Sequence, residues 1–310
     1  MAKIKPEENV RAESLKRSGV AAIAGRPNVG KSTLLNNLLG QKLSIVSSKA
    51  QTTRQQVLGI LTRENSQIVF IDTPGFIEPH DRLQEFMIQA SFKAVSGADL
   101  VILITDARER DTLADSILLD RLSKVDVPRI VAINKIDLVP KETLLPLMDE
   151  FQKTGLFEAI VPISAILGDG LDRLIAEIEA RLSPGHFRYS EDQIATQPLR
   201  FFAAELIRET LYELLDDELP YATTVQVEEY KERPGKKVYI RALVYTERES
   251  QKKIVIGSQG AQLKKIGQLA RKKIEGFIDN GVYLDLWVKV KEKWRKNKSF
   301  LNIAGYNQIP

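Results

Sequence analysis

The run Gly25-Arg26-Pro27-Asn28-Val29-Gly30-Lys31-Ser32, continued by Thr33, sets glycines, an ammonium and a hydroxyl in one short loop. Glycines let backbone amides turn inward around an anion, and a helix opening directly behind them adds the positive end of its dipole. In such a loop Lys31 reaches the β and γ phosphates of a nucleotide and Ser32 ligates magnesium. A second group, Asp72-Thr73-Pro74-Gly75-Phe76, follows the apolar run 68–71, so a carboxylate emerges at a strand end, where it holds magnesium through water. Gly75 lets its amide approach the γ-phosphate closely. A third group, Asn134-Lys135-Ile136-Asp137, follows the apolar run 130–133. The Asp137 carboxylate can accept from both N1–H and the exocyclic amine of guanine, a donor pair adenine lacks, and the wrong base leaves it unpaired at a cost. Lys135 then lies over the ring, Asn134 braces the loop, and a backbone amide of Ser164-Ala165 meets the guanine oxygen. The polar segment 44–54 contains Gln51-Thr52-Thr53-Arg54. A threonine there, Thr53 in preference to Thr52, completes magnesium coordination only while the γ-phosphate is present, which makes the segment a switch. The implied ligands are GTP or GDP with Mg2+.

These groups need rigid elements to aim them. Apolar runs at 20–24, 68–71, 100–104, 130–133 and 159–163 alternate with helical patterns at 31–39, 83–95, 113–122, 144–151 and 171–182. Several runs are apolar at consecutive positions, as strands covered by helices on both faces must be. The expected fold is α/β, a P-loop NTPase three-layer sandwich around a mostly parallel sheet. Ser183, Pro184 and Gly185 end the last of these helices. The expected division is an N-terminal extension over 1–17, a GTP-binding domain over 18–183, a linker over 184–198 and a second domain over 199–310.

That second domain has another grammar. A helical pattern at 199–215 precedes strands at 223–230 and 237–245, joined by the turn Arg233-Pro234-Gly235-Lys236. A third strand shows strict alternation, with Val282, Leu284, Leu286, Val288 and Val290 opposite Tyr283, Asp285, Trp287 and Lys289. Its loop Gly257-Ser258-Gln259-Gly260 opens a helix whose core stripe is Leu263, Ile266, Ala270, Ile274 and Phe277, with Lys264, Lys265, Arg271 and Lys272 off that stripe. Two glycines there let a nucleic-acid backbone lie against the chain.

Charge separates the halves as well. Residues 1–190 hold 24 basic and 24 acidic side chains, residues 191–310 hold 21 and 17, and 13 of the basic ones fall between Lys252 and Lys298 against 4 acidic. A polyanionic partner follows from that surplus. The segment 289–298 alternates lysines with Trp294 and suits either RNA or, peripherally, anionic lipid. The absence of cysteine removes disulfide scaffolds and thiolate chemistry. Residues 1–17 contain no apolar run of signal-peptide type, and no stretch of the chain is long enough to span a bilayer, so the expected location is the cytoplasm.

Taken together, Gly-x-Pro-Asn-Val-Gly-Lys-Ser, Gln-Thr-Thr-Arg and Asp-Thr-Pro-Gly-Phe, followed by Gly-x-x-Gly in an α-β-β-α-β setting, resemble the Era family: a translation-factor-class GTPase domain joined to a type II KH domain. The resemblance spans nearly the whole chain; the N-terminal extension departs from it. It implies a Mg-dependent GTPase whose nucleotide state controls engagement of small-subunit ribosomal RNA, near its 3′ end, during assembly of the small ribosomal subunit. Nothing in the sequence points to DNA. Phe76 occupies the place where Ras-like enzymes carry a water-orienting glutamine, which implies slow intrinsic turnover. The resemblance also implies potassium held partly by Asn28, which would put Asn28 beside Lys31, Thr53 and Gly75 at the reacting phosphate; the alternative is that Asn28 only shapes the loop. An RNA-anchoring module in which hydrolysis is incidental stands as the competing function, with peripheral contact at the inner face of the membrane as a third.

Overall fold

The computed structural model describes residues 16–47, 49, 52–108, 112–232 and 234–306. The N-terminal extension up to residue 15, Gln51 and the turn residue Arg233 therefore lie outside the described residues.

The first domain runs β1 (Arg17–Ala24), α1 (Lys31–Leu39), β2 (Val57–Thr62), β3 (Ser66–Asp72), α2 (Arg82–Ser96), β4 (Leu100–Asp106), α3 (Thr112–Ser123), β5 (Arg129–Asn134), α4 (Leu144–Lys153), β6 (Ala159–Pro162) and α5 (Leu171–Arg181). Its sheet has the order β2-β3-β1-β4-β5-β6. All neighbours pair in parallel except β2, which runs antiparallel to β3. Every residue of β4 is buried, and one face of the sheet packs Ile23, Leu34, Leu35 and Leu174 while the other packs Ala22, Val101, Leu122 and Leu147. These are the two apolar layers that consecutive apolar runs require, and they make the three-layer sandwich. The sequence pattern assigns no strand to 57–62, because that edge segment carries Gly59 and Thr62 rather than an unbroken apolar run; pairing with β3 creates it.

The second domain runs α6 (Leu199–Leu214), α7 (Leu219–Ala222), β7 (Thr224–Lys231), β8 (Val238–Thr246), α8 (Glu249–Ile256), α9 (Ala261–Ile278), β9 (Val282–Val290) and α10 (Lys298–Ile303). The strand order is β7-β8-β9, antiparallel then parallel. Ile207, Leu211, Ile240, Val244, Ile266, Ala270 and Ile274 close its core on one face of this sheet. Both hairpin strands begin one residue later than their alternation suggests. Helix α8 is an additional element: its residues 249–256 are mostly polar, and Val255 is the one apolar side chain it buries fully.

The C-terminal segment differs from its sequence-based reading. Trp294 is fully buried, its Nε1 donates to the carbonyl of Ala222 at 2.9 Å, and it packs with Leu83 and Met87 of α2 and with Phe300, Leu301 and Tyr306. Arg295 pairs with Asp81, the N-cap of α2. The reading of segment 289–298 as an RNA or lipid surface is thus corrected for Trp294. The indole is buried between the two domains, where an apolar ring with one paired N–H is more favourably placed than in water, and the surrounding lysines remain exposed.

Candidate nucleotide and nucleic-acid sites

The loop between β1 and α1 borders a cavity of about 450 Å3 lined by residues 27–33, 45–47, 52, 53, 75, 106, 108 and 135. Gly30 has φ 105°, a left-handed conformation that glycine adopts without strain, and a Cβ there would run into the Asn134 amide. Asn134 explains the closeness. Its Nδ2 donates to the Val29 carbonyl at 2.7 Å and its Oδ1 accepts from the Ala165 amide at 2.8 Å, so a side chain at the end of β5 ties the phosphate loop to the Ser164-Ala165 loop. Lys31 is buried and donates to the carbonyls of Gly25 (3.1 Å) and Arg26 (2.6 Å). Burial pushes its ammonium down to about 8, with Asp72 opposing the shift.

Three oxygens from separate elements converge beside it. Ser32 Oγ lies 2.8 Å from Thr53 Oγ1 and donates to Asp72 Oδ2 at 2.8 Å, while Thr53 Oγ1 donates to the same carboxylate at 3.3 Å. Asp72 is fully buried, its other oxygen has no hydrogen-bond partner, and desolvation raises its pKa against Lys31 and the hydroxyls. Such an orphaned buried acceptor is expensive, and a hard dication surrounded by oxygen ligands would relieve it. The residues fit magnesium, and Ser32, Thr53 and Asp72 are the oxygen donors that would hold it. Thr52 sits outside this cluster, its hydroxyl donating to the Lys49 carbonyl at 2.7 Å. Thr73 Oγ1 donates to the Ile23 carbonyl and Pro74 accepts from Ser91, so both shape the loop from below the cavity.

Outside the cavity lining, Asp137 is exposed and accepts from Ser164 Oγ at 2.6 Å, which holds the carboxylate and the Ala165 amide on adjoining loops. Lys135, with φ 65°, donates to the Asn28 carbonyl at 2.7 Å and meets Asp106 at 2.6 Å. Sequence reading missed Asp106. It is buried at the end of β4 and lies 2.8 Å from Arg108; burial pushes its pKa up, but hydrogen bonds from Arg108 and Lys135 outweigh this and hold it at about 2. The signal was present, since a carboxylate ending a buried parallel strand has the same placement as Asp72, but no motif includes it.

Phe76 follows Gly75, where Ras-like enzymes carry a glutamine. Its side chain leaves the cavity and packs edge-on against Phe92 with ring centroids 5.0 Å apart, while its amide donates to the Gly25 carbonyl at 3.2 Å. An apolar ring prefers the α2 face of the sheet to a polar cleft.

The switch segment is held from outside its own domain. Arg54 is 3% exposed, and its guanidinium donates to the carbonyl of Thr223 (2.7 Å), to the Tyr212 hydroxyl (3.0 Å) and to the carbonyls of Pro220 and Tyr221 (both 3.1 Å). It lies 5.7 Å from the rings of Tyr212 and Trp294. From the other side Arg208 of α6 donates to the Thr52 carbonyl, and Lys49 donates to the carbonyls of Tyr212 and Leu215. Glu209 of α6 bridges Lys42 of the first domain and Lys273 of α9, at 2.8 Å each. Burial opposes ionisation of Glu209, but the hydrogen bonds from Lys273 and Lys42 outweigh it and hold its carboxyl below the usual range.

In the second domain Gly257 takes φ 74°, and a Cβ there would lie 2.7 Å from that of Gln262, so the turn into α9 requires glycine. Gln259 also adopts positive φ. A groove runs between this loop, α9 and β9, bordered by Gly260, Lys264, Arg271 and Tyr283 among others. Ser258 adjoins it in the loop. Of the four cations expected on α9, Lys264 and Arg271 line the groove, whereas Lys265 and Lys272 occupy the next exposed strip of the same helix.

Two family models match this arrangement, that of the 50S ribosome-binding GTPases over residues 20–135 and that of the KH domain over residues 218–295. A variant of Aquifex aeolicus Era bound to GDP·AlF4 is 40% identical with a TM-score of 0.90, covering 94% of this chain and 100% of that one. The chain belongs to the Era family. A second Era structure, in complex with MgGDPNP and nucleotides 1506–1542 of 16S ribosomal RNA, gives 40% identity and a TM-score of 0.91 over the same shares of both chains. This Era-family GTPase thus carries its nucleotide cavity at the C-terminal ends of β1, β3, β4 and β5, and its KH groove on a separate domain whose α6 grips the switch segment.

Proposed function

We propose that this Era-family protein binds and hydrolyses GTP with magnesium and couples its nucleotide state to binding of small-subunit ribosomal RNA during assembly of the small subunit. One observation carries the coupling. Thr53 places its hydroxyl among the magnesium-seeking oxygens while its chain neighbours, Thr52 and Arg54, are both held by the KH domain. Whatever orders Thr53 therefore favours one docking of that domain, and by linkage the docking favours ordered Thr53. An Era of known structure engages 16S ribosomal RNA, which supports the same class of partner here.

In this reading the amides of residues 25–33 other than Pro27, with the Lys31 ammonium, hold the phosphates, Ser32, Thr53 and Asp72 hold magnesium, and Gly75 offers its amide to the γ-phosphate. Asp137 and Ala165 select guanine, Lys135 covers the ring, and Asn134 braces both loops. Magnesium, when bound, neutralises charge between the β and γ phosphates. Thr73, Pro74 and Phe76 shape the loop beneath the ligand. With no glutamine beside Gly75, a cation or a partner completes the electrostatic stabilisation, and Asn28, exposed at the cavity rim, is suited to hold potassium. Residues 257–260 with Lys264, Lys265, Arg271 and Lys272 take the RNA backbone.

The protein is read as cytoplasmic, and no helix among the described residues is long and apolar enough to cross a membrane. Within the segment 289–298, peripheral contact with the inner face of the membrane would rest on the exposed lysines, because Trp294 is buried. The test is direct. Lys31→Ala should abolish nucleotide binding, and GTP-loaded protein should bind a small-subunit RNA fragment differently from GDP-loaded protein. Equal RNA affinity in both states would leave an RNA-anchoring module with incidental hydrolysis. Exchange of potassium for sodium at constant ionic strength should slow hydrolysis if Asn28 holds the ion.

A further inference from the structure

Beyond Tyr283 at the groove border, the face of the KH sheet turned away from its core helices takes no part in the sites above. In register across β8 and β9, Tyr239 faces Tyr283, Arg241 faces Asp285, Leu243 faces Trp287 and Tyr245 faces Lys289. Two large aromatic side chains stand in solvent on the edge strand: Tyr283 is 62% exposed and Trp287 is 58% exposed. Neither is left to swing freely. The rings of Tyr239 and Tyr283 stack with centroids 5.8 Å apart and planes 14° from parallel. Asp285, between the aromatics on β9, accepts from Trp287 Nε1 at 2.8 Å, from Arg241 Nε at 3.1 Å and from the Tyr239 hydroxyl at 3.2 Å. One carboxylate thereby fixes the indole through its only polar atom, which leaves the flat apolar surface of the ring to solvent.

The charges of this face are largely spent on one another. Glu229 lies 2.6 Å from Lys231 and 3.3 Å from Arg241, and Glu228 lies 3.9 Å from Lys289. What the face offers a ligand is therefore planar apolar contact. Its position names the ligand class: Tyr283 also borders the groove formed by Gly260, Lys264 and Arg271, and Trp287 follows on the same side of the strand, about 13 Å farther along.

We propose that Tyr283 and Trp287 form a base-stacking extension of the KH groove, so that single-stranded RNA leaving the groove past Tyr283 lays its next bases on the Trp287 indole. This rests on the RNA-binding reading and adds to it a subsite outside the groove. Every base has a π-face, so the extension adds affinity without sequence choice, and the fixed indole loses little freedom on binding. Because the face carries little unpaired charge, the Trp287 contribution is insensitive to salt, whereas the part made by the groove lysines weakens as salt rises.

The experiment compares two single-stranded RNAs taken from the 3′ region of small-subunit RNA, one of about four nucleotides, the length a KH groove clamps, and one of about eight. With GTP-analogue-loaded full-length protein, Trp287→Ala should weaken the longer RNA about tenfold and leave the shorter one unchanged. Trp287→Phe should recover most of the loss, and Trp287→Lys should not, which separates stacking from charge. The wild-type to Trp287→Ala affinity ratio should hold between low and moderate salt. Trp294 is fully buried, so acrylamide quenching reports Trp287 alone, and the longer RNA should protect it. Equal affinities of wild type and Trp287→Ala for both lengths, or an indole still open to acrylamide under saturating RNA, would overturn the extension while leaving the groove intact. Failure of the wild type to bind either RNA would instead remove the RNA-binding reading itself.

Discussion

Replacing Arg54 with alanine removes four charged hydrogen bonds that join the switch segment to the KH domain. Each such bond is worth about 1.5–3 kcal/mol in isolation, but the four share one side chain and do not add. Losing a buried cation among carbonyls that relied on it costs about 3–5 kcal/mol. For a chain of this size that corresponds to a fall in Tm of roughly 5–10 °C. A second consequence is local: Thr53 loses its chain neighbour's anchor, so ordering its hydroxyl beside Ser32 and Asp72 must be driven by the ligand itself. Hydrolysis by Arg54→Ala should therefore need more magnesium for half-maximal rate, by about tenfold if 1–2 kcal/mol of the lost anchoring is felt at Thr53. Arg54→Lys keeps the charge without the planar fork and should fall between the two. Calorimetry of the empty and nucleotide-loaded protein measures the first effect, and magnesium titration of GTP turnover the second. If Arg54→Ala keeps the wild-type Tm and magnesium dependence, the interdomain grip on the switch is energetically idle and the coupling argument fails.

Other expectations concern the first domain. Asn134→Ala leaves the Ala165 amide and the Val29 carbonyl unpaired in a buried place and should cost about 2–4 kcal/mol, read as a lower denaturation midpoint together with faster release of a fluorescent guanine nucleotide. Asp106→Asn releases Lys135 from its anchor and should weaken guanine-nucleotide binding about tenfold with little change in the Tm of the KH domain, which equilibrium titration can establish. The Asp106 carboxyl is held at about 2, so its stabilisation is present above the usual carboxylate range and should be lost as pH falls through 2; the asparagine variant should lack that acid-side component in unfolding curves. Lys31 has its pKa lowered to about 8, so the unfolded chain binds more protons than the empty folded one between about 8 and 10.5. Its burial therefore penalises the empty protein below 8, an effect relieved as pH rises through that window. Nucleotide binding needs the charged form, so GDP affinity should drop by up to tenfold per pH unit above 8, and Lys31→Arg should flatten that slope in calorimetric titration.

Much of the site was legible in the sequence because each part of it is local. A phosphate loop is made of consecutive amides, Asp72 ends its strand and Asp137 stands three residues past the end of β5, and the turn at Gly257 is decided by a φ that glycine accepts. Consecutive apolar residues at 100–104 announce a strand covered on both faces whatever lies around it. Contacts between distant residues were beyond such reading. Arg54 meets Thr223 across 169 positions, and β2 exists because β3 offers it hydrogen bonds. Trp294 sits in a lysine-rich segment that looks solvated until α2 and Ala222 close over it. The sequence by itself determined which backbone segments can turn, extend or cradle an anion, since those are steric and short-range properties. Only the tertiary structure decided that Arg54 and its neighbours are held by the second domain, because burying an arginine requires acceptors that no neighbouring residue supplies.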